Sequence, residues 1–255
     1  MEHPTAALVA LDDTWDLPSN RLLESLSSRA RAELRPCLER VAMHRGQVFN
    51  RVNTPIKHLY FIERGMVSQV KIMRDGRTVE IGAVGIEGVA DPSGIFHIEH
   101  AILESIVQIP GTALRIERSP LLQKMATNAE IARLMQRYAA VALNHLMQTA
   151  ACNCLHAIEQ RFCRWLLIAH DNALGDSFPL THEFLAMMLG VQRASVSIAA
   201  RGLQRAGLID YGRGRVTVVD RRALENAACE CYGTLREQFD SLYERVESHR
   251  RRGTL

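Results

Sequence analysis

The stretch from residue 180 to residue 208 limits the possible folds of this chain more than any other. Thr181 is a favourable N-cap residue, and the apolar residues after it recur at helical spacing, which predicts a short amphipathic helix. Gly190 follows where the chain must turn sharply, because glycine adopts positive φ without steric cost. A second helix is predicted over 192–205. The stretch therefore predicts a helix-turn-helix.

The second predicted helix has one apolar side and one polar side. Its apolar positions are Val196, Ala199, Ala200 and Leu203. Its polar side contains Gln192, Arg193, Ser195, Ser197 and Arg201. Arginine can donate two hydrogen bonds to guanine, and serine and glutamine can bond to base edges or phosphates, so this side predicts a helix that enters a DNA major groove. A helical hairpin in an ordinary bundle has the same pattern and stays open as the alternative.

The residues that follow strengthen the DNA-binding interpretation. Residues 208–218 are typical of a strand, a glycine-containing turn and a second strand. Arg213 and Arg215 fall at the tip of this predicted hairpin. A hairpin directly after such a helix predicts a winged helix whose wing contacts phosphate.

Length and charge agree with a globular protein that binds nucleic acid through one region. The chain has 255 residues, of which 47% are hydrophobic, so it has room for two modest domains. The net charge is only +3, but arginines concentrate near the C-terminal end. We find no run of eighteen apolar residues and no N-terminal basic segment followed by an apolar one, so we expect a cytoplasmic protein that does not enter a membrane.

Six cysteines raise the question of a metal or redox site. We expect reduced thiols, because the chain is long and shows no export signal. The pairs Cys152/Cys154 and Cys229/Cys231 fall in predicted helices, where residues two apart point to nearly opposite sides. This pattern favours ordinary buried side chains over a metal site, and we expect His145 and His156 to be polar helix residues. No catalytic motif occurs (P-loop, nucleophile elbow or His-Glu-x-x-His), so we predict no catalytic residue and no enzyme.

The N-terminal half begins with a helical sequence pattern and continues with a pattern of short strands. A helix is predicted over 21–41, with Pro36 interrupting it or starting another helix. Short glycine-punctuated strands follow, with a turn at Asp75-Gly76 and a break at Pro110-Gly111. The predicted strands cover 58–62, 66–73, 78–84, 101–109 and 112–116. Such a series without intervening helices predicts an antiparallel roll or barrel.

A long helix is predicted over 128–151, followed by helices over 155–171 and 220–249. The long helix has two apolar stripes: Ile131, Leu134, Tyr138 and Val141 form one, and Met135, Ala139, Ala142 and Leu146 form the other. Two stripes indicate two partners, the roll of the same chain and a second copy of the helix. The alternative is a helix whose two apolar stripes are both buried in a single hydrophobic core.

The order of these parts resembles the CRP/FNR family of bacterial transcription factors. The resemblance rests on Tyr-Phe-Ile-Glu-Arg-Gly at 60–65, Asp75-Gly76-Arg77, and the segment from Leu180-Thr181 through Gly190 to 193–196. It implies an α+β fold with an N-terminal antiparallel, cyclic-nucleotide-binding-like β-roll, a long dimerisation helix and a C-terminal winged helix-turn-helix. The implied domains are a sensor over 21–125, dimerisation and connecting helices over 126–172, and a DNA-binding domain with a C-terminal helix over 173–255.

The resemblance also implies partners and residue roles. The expected protein is a homodimer that binds a palindromic double-stranded DNA operator and contacts RNA polymerase. Arg193 and Ser195 match positions that read bases or touch phosphate, and Thr181 and His182 match positions that contact the DNA backbone. Ala194 replaces a glutamate common in the best-known members, and Ile198 replaces an arginine, so we expect a different operator.

The sensing end departs further from the family. Members that bind cyclic nucleotides hold the phosphate with a Gly-Glu segment and an Arg-Ser or Arg-Thr pair, but residues 88–100 here contain no arginine. Leu146 and Met147 stand where those members present hydroxyl groups to the base, so cyclic AMP is disfavoured and the cofactor is unassigned. His97 and His100 alone do not indicate haem or a metal, and only Cys37 precedes the roll, without an iron-sulfur cysteine cluster. A small-molecule or cyclic-nucleotide binding module that acts through protein contacts is the alternative function.

Overall fold

The computed structural model describes residues 20–96 and 98–251, with side chains described through residue 243. Residues 1–19, His97 and residues 252–255 lie outside the described residues. The fold is α+β, as predicted. Two short helices, α1 (Arg21–Glu24) and α2 (Ser28–Leu34), precede one antiparallel sheet. Its strands are β1 (Leu38–Met43), β2 (Val48–Asn50), β3 (His58–Ile72), β4 (Thr78–Val84), β5 (Val89–Ala90) and β6 (Glu104–Glu117).

The predicted helix over 21–41 is wrong in its second half. Pro36 lies in a short 3₁₀ turn after α2, and the chain then becomes strand β1. Proline cannot continue a helix because it lacks an N–H donor. Leu38, Val41 and Met43 are buried, and β1 pairs with β6 from Leu38 opposite Ile116.

The predicted separation of strands 58–62 and 66–73, which would place a break at Gly65, and the predicted break at Pro110-Gly111 are also wrong. Strands β3 and β6 each run through these points as one long strand. The two paired strands approach each other so closely there that a Cβ atom on Gly65 would meet the carbonyl oxygens of Ile109 and Pro110. A Cβ atom on Gly111 would in turn meet the backbone of Arg64. The glycines therefore permit a close backbone approach and a shift in pairing register, rather than ending strands.

Three helices follow the sheet: α3 (Arg118–Thr127), α4 (Ala129–Leu155) and α5 (Ile158–Asp171). Asn128 caps α4 by accepting hydrogen bonds from the backbone N–H groups of Glu130 and Ile131. The two predicted stripes do not separate two partners, since Met135 and Ala139 are buried in the same chain together with Ile131, Leu134 and Tyr138. A third stripe is the exposed one. It contains Gln136, Ala140, Leu143, Met147, Ala150 and Cys154.

The C-terminal part begins with β7 (Ser177–Pro179), α6 (His182–Leu189) and α7 (Arg193–Arg205), followed by β8 (Ile209–Gly212) and β9 (Arg215–Val218). The strands form a small sheet in the order β7-β9-β8. The single predicted helix over 220–249 is instead two helices, α8 (Arg221–Ala227) and α9 (Cys231–Arg251). Asp220 caps α8 by accepting a hydrogen bond from Ala223 N at 2.9 Å.

Helix α9 leaves the winged part and packs along α4. Phe239 lies against Tyr138 and His145, with ring centroids 6.4 and 6.0 Å apart. Asp240 pairs with Arg21 at 2.9 Å. The chain therefore closes on itself, and α9 covers one side of α4 but leaves the third stripe exposed.

The winged part shares one hydrophobic core with the sheet. This core joins Met66, Val70 and Ala83 of β3 and β4 to residues of α5, α6 and α7. Among the residues that the structure covers, no helix combines the length and the apolar character that a membrane crossing needs.

Candidate nucleic-acid interface

The helix-turn-helix forms as the sequence predicts. Thr181 caps α6, where its Oγ1 accepts a hydrogen bond from Phe184 N at 3.2 Å. Gly190 ends α6 in the left-handed conformation, with φ 63° and ψ 37°, which redirects the chain into α7. Gln192 is the N-cap position of α7, and its exposed side chain makes no capping hydrogen bond.

The two sides of α7 also agree with the prediction. Val196, Ala199, Ala200 and Leu203 are buried. Arg193 and Arg201 are exposed, whereas Ser195 and Ser197 are half-buried. Arg193, Arg201 and Gln192 are therefore the exposed hydrogen-bond donors among the five polar residues predicted for this side of the helix.

Arg193 lies in a surface ion pair with Glu183 of α6. The Nη1 and Oε1 atoms are 2.9 Å apart, and the two side chains are 67% and 61% exposed. An exposed pair of this kind is worth only about 0–1 kcal/mol, because water screens it and both long side chains lose freedom. The guanidinium can therefore exchange Glu183 for a base or a phosphate at little cost.

His182 holds the two helices and the wing together. Its ring stacks on Tyr211 of β8 at 4.5 Å, and its Nδ1 lies 3.0 Å from Ser197 Oγ. Burial, followed by the charge of Arg193, lowers the pKa of His182. Ser197 Oγ also donates to Arg193 O at 3.1 Å. His182 and Ser197 are thus positioned to fix the angle between α6 and α7, and a direct DNA contact from either stays a prediction.

The wing is a tight two-residue hairpin. Arg213 and Gly214 both have positive φ, 51° and 72°, as a type I′ turn requires. The exposed Arg213 is at the tip. Arg215 is anchored instead, since its guanidinium donates to Ser177 O at 3.1 Å. Of the two predicted wing arginines, Arg213 is the better placed to reach a phosphate.

Ile198 is part of the interface surface, although the sequence prediction did not assign it a DNA contact. Its side chain is 59% exposed on the same side of α7 as Ala194 and Arg201. A small apolar surface suits the methyl group of thymine. The spacing 194, 198, 201 follows one helix face and is the signal that could have identified it.

The turn between α6 and α7 rests on the β-sheet. A Cβ atom at Gly190 would lie 3.0 Å from Val79 Cγ2 of β4. The buried Arg161 of α5 donates to Leu189 O at the end of α6. Helix α7, called the reading helix below, is therefore attached through this turn to the same strand pair, β3 and β4, that forms the Asp75-Gly76 hairpin.

A buried carboxyl group links the sheet to α5. Glu80 accepts hydrogen bonds from Ser68 Oγ of β3 and from Trp165 Nε1, the latter at 3.0 Å. Burial raises the pKa of Glu80 to about 7, although both hydrogen bonds and the charge of Arg164 oppose this change. Glu80 is therefore protonated over much of the range below neutral pH.

Side chains of the long helix α4 pack against the short strand β5 and against β4. Tyr138 Oη donates to Val89 O at 3.0 Å, and Leu146 Cδ2 lies 3.2 Å from where a Cβ of Gly82 would stand. Arg118 reaches the neighbouring turn, but it donates to the backbone oxygen of Gly94 at 3.2 Å.

Comparisons with known proteins agree with this geometry. A model of the Crp-like helix-turn-helix domain matches residues 160–227. The transcriptional regulator LdrP of Thermus thermophilus is 30% identical over 185 residues, which cover 67% of this chain and 87% of that protein. The structure of FixK2 from Bradyrhizobium japonicum is similar with a TM-score of 0.62 and 18% identity, over 75% of this chain and 98% of that one. A CRP/FNR-family regulator from Thermus thermophilus gives a TM-score of 0.60 and 18% identity, over 74% and 98% of the two chains.

Proposed function

The chain belongs to the CRP/FNR family of transcriptional regulators, and from this premise we propose that it binds a palindromic operator as a homodimer under control of its β-roll. The observation that carries the proposal is the exposed side of α7, where Arg193 and Arg201 flank the small apolar surface of Ile198. The arginines can donate to guanine, and the apolar surface can contact a thymine methyl group.

The third stripe of α4 supports the homodimer. Its residues 136, 140, 143, 147, 150 and 154 alternate in steps of four and three, the spacing of a coiled-coil seam. Leu143 and Met147 are 57% and 55% exposed at its centre. A second copy of α4 would bury these side chains and place two α7 helices about one DNA turn, roughly 34 Å, apart.

The contact between β4 and the helix-turn-helix supports control by the roll. Val79 touches the turn at Gly190, and Glu80 bonds to Trp165 of α5. A ligand or partner that shifts β4 would act on both attachments of the reading helix. It would favour the orientation competent for DNA binding by its differential affinity for that orientation.

We further propose that cyclic AMP is not the effector, because Tyr138 and Leu146 occupy the space near β5 and β4.

Contact with RNA polymerase remains part of the proposal on the strength of the family alone. The interaction can be tested by promoter transcription with the selected operator placed at stepped distances from the start site. A response confined to distances that keep the helical phase supports a direct contact.

Selection from a random duplex library tests DNA recognition. We expect the full-length protein to enrich an inverted repeat whose half-site centres are about 10–10.5 base pairs apart or a multiple of that. Enrichment of no sequence would instead support the module that acts through protein contacts. Enrichment of a single unrepeated site would contradict the paired arrangement.

The substitution Leu143→Glu tests the dimer. It places a charge in the seam, so we expect sedimentation to show a monomer with unchanged helical content. Leu174→Glu is the matched control, because Leu174 is similarly exposed in the loop after α5. A monomeric wild type, or a dimer that Leu143→Glu leaves intact, would contradict the proposed seam.

A further inference from the structure

Four potential metal ligands meet where α4 ends and α8 gives way to α9. Cys152 and His156 lie one helical turn apart at the end of α4. Cys229 and Cys231 flank Glu230 beside the start of α9. One ligand atom from each of the four residues lies within 4.8 Å of all the others.

The prediction that the Cys229 and Cys231 thiols point to opposite sides of a helix is wrong. It placed both cysteines on a helix, but α8 ends at Ala227 and Ala228 is extended, with φ −75° and ψ 160°. The segment can therefore turn both thiols toward α4. For the other pair the expectation is confirmed, since Cys154 is exposed and outside the cluster, whereas Cys152 is buried.

Two separations within this group are close to those around one tetrahedral ion. Zinc with sulfur at about 2.3 Å and nitrogen at about 2.0–2.1 Å implies sulfur–sulfur and sulfur–nitrogen separations of roughly 3.8 and 3.6 Å. The Cys152 and Cys229 sulfurs are 3.5 Å apart, and Cys231 Sγ lies 3.6 Å from His156 Nδ1. The close grouping fits a single ion, because the ligands of a multi-iron cluster are spread over several metal atoms.

We propose that Cys152, His156, Cys229 and Cys231 form a structural site for one tetrahedral divalent metal ion of the zinc class. Three sulfur ligands and one imidazole complete four-coordination from the protein alone, which is typical of structural rather than catalytic zinc. Thiolate ligands also select zinc over magnesium or calcium.

The surroundings orient the ligands as metal sites require. His156 Nε2 lies 3.1 Å from a Glu230 carboxylate oxygen, which leaves Nδ1 facing the thiols. A carboxylate on the far ring nitrogen fixes the tautomer and raises the basicity of a histidine ligand. Gln148 Nε2 donates to Cys231 Sγ at 3.0 Å. The buried Arg164 guanidinium places a positive charge near Cys152 and Cys229, where it would offset the negative charge of three thiolates around a divalent ion.

The ion would join the end of the long helix to the segment that follows the wing and α8. It would thereby fix the path of the chain between the helix-turn-helix and α9. The inference stands apart from DNA binding, because it depends on none of the residues of the α7 face.

Cobalt titration tests the site on the full-length protein. After chelation under reducing conditions, we expect one Co²⁺ per chain, with the thiolate-to-cobalt charge-transfer and strong visible bands of tetrahedral coordination, and displacement by Zn²⁺. Cys152→Ser, Cys229→Ser and Cys231→Ser should each reduce the charge-transfer intensity and weaken Co²⁺ binding more than Glu230→Gln, for which we expect about 10–100-fold. Cys154→Ser and Cys37→Ser are controls outside the cluster and should leave the spectrum unchanged.

Three results would overturn the proposal. The first is a fully reduced wild type that takes up no Co²⁺, and this includes protein that was isolated with a Cys152–Cys229 disulfide and then reduced. The second is a spectrum that Cys154→Ser reduces as much as Cys152→Ser does. If the serine variants fail to fold, alkylation of the wild type provides the test, because Zn²⁺ should protect Cys152, Cys229 and Cys231 from alkylation but should not protect Cys154. The third overturning result is equal alkylation of all four cysteines with and without Zn²⁺.

Discussion

The outer face of α7 and the buried contacts that hold the helix-turn-helix against the sheet are both polar, but they are built under opposite conditions. Arg193 has an exposed partner in Glu183, in a pair worth little in water. Glu80 and Trp165 bond to each other out of contact with water, where a lost partner leaves a buried polar group unsatisfied.

This contrast separates two tasks. Exposed groups can be exchanged for DNA without a change in the stability of the fold. Buried groups position the reading helix and set stability without touching DNA. Substitutions in the two regions should therefore affect different measurements, and the following predictions are ordered from the largest expected effect to the smallest.

Glu80→Gln should remove a pH-dependent loss of stability. The folded-state pKa of Glu80 is about 7 against an ordinary 4.5. The protonated carboxyl therefore contributes fully to the free energy of unfolding below about pH 4.5, and this contribution is lost as pH rises through 7. Glutamine cannot ionise and can keep a hydrogen bond to each partner, with its Oε1 accepting from Trp165 Nε1 and its Nε2 donating to Ser68 Oγ. At pH 8 we expect the variant to exceed wild type by up to about 3 kcal/mol in the free energy of unfolding.

Denaturant unfolding at pH 5 and pH 8 measures this difference. The exposed Glu117 of β6 provides a control in Glu117→Gln, which should leave the pH dependence as in wild type. Parallel pH profiles for wild type and Glu80→Gln would show that the buried carboxyl does not govern this region.

Arg193→Ala should weaken operator binding by about 1–3 kcal/mol. The free energy of unfolding should change by less than about 0.5 kcal/mol, because the side chain is exposed. Glu183→Gln is the matched control, since it breaks the same ion pair but keeps the guanidinium. Fluorescence anisotropy measures the affinity of both variants for the operator, and denaturant unfolding measures their stability. A loss of stability rather than affinity in Arg193→Ala, or a loss of affinity in Glu183→Gln as large as that in Arg193→Ala, would contradict the separation of the two tasks.

Arg213→Asn should have the smallest effect. Asparagine tolerates the positive φ of the wing tip, so only the charge is removed. If Arg213 contacts phosphate, affinity should fall on every sequence alike, and the slope of log affinity against log salt should fall by about 1 per wing. Arg213→Lys should keep the slope, whereas a sequence-dependent loss would show that the wing reads bases.

The helix-turn-helix could be predicted from the sequence because its signals are local. Thr181, Gly190 and Val196 act within a few turns of one another, and the Arg213-Gly214 turn determines the wing by its own backbone preferences. Each of these features depends on neighbours in sequence, so no tertiary information was needed.

The missed features depend on distant parts of the chain. Gly65 and Gly111 resemble strand breaks in the sequence, but they lie where the paired strands β3 and β6 approach each other closely. The stripe that contains Met135 and Ala139 predicted a second copy of α4 as its partner, but the same chain buries both residues. Cys152 and Cys229 are 77 positions apart, and only the break after α8 brings their thiols together.

The most direct test of the central claim is the affinity of wild type and Arg193→Ala for the selected operator and for each of its single-base variants, at one fixed salt concentration. The account predicts that Arg193→Ala relaxes discrimination at one base pair in each half-site and leaves discrimination elsewhere unchanged. An equal loss on operator and random DNA would contradict it, because Arg193 would then contact phosphate rather than a base.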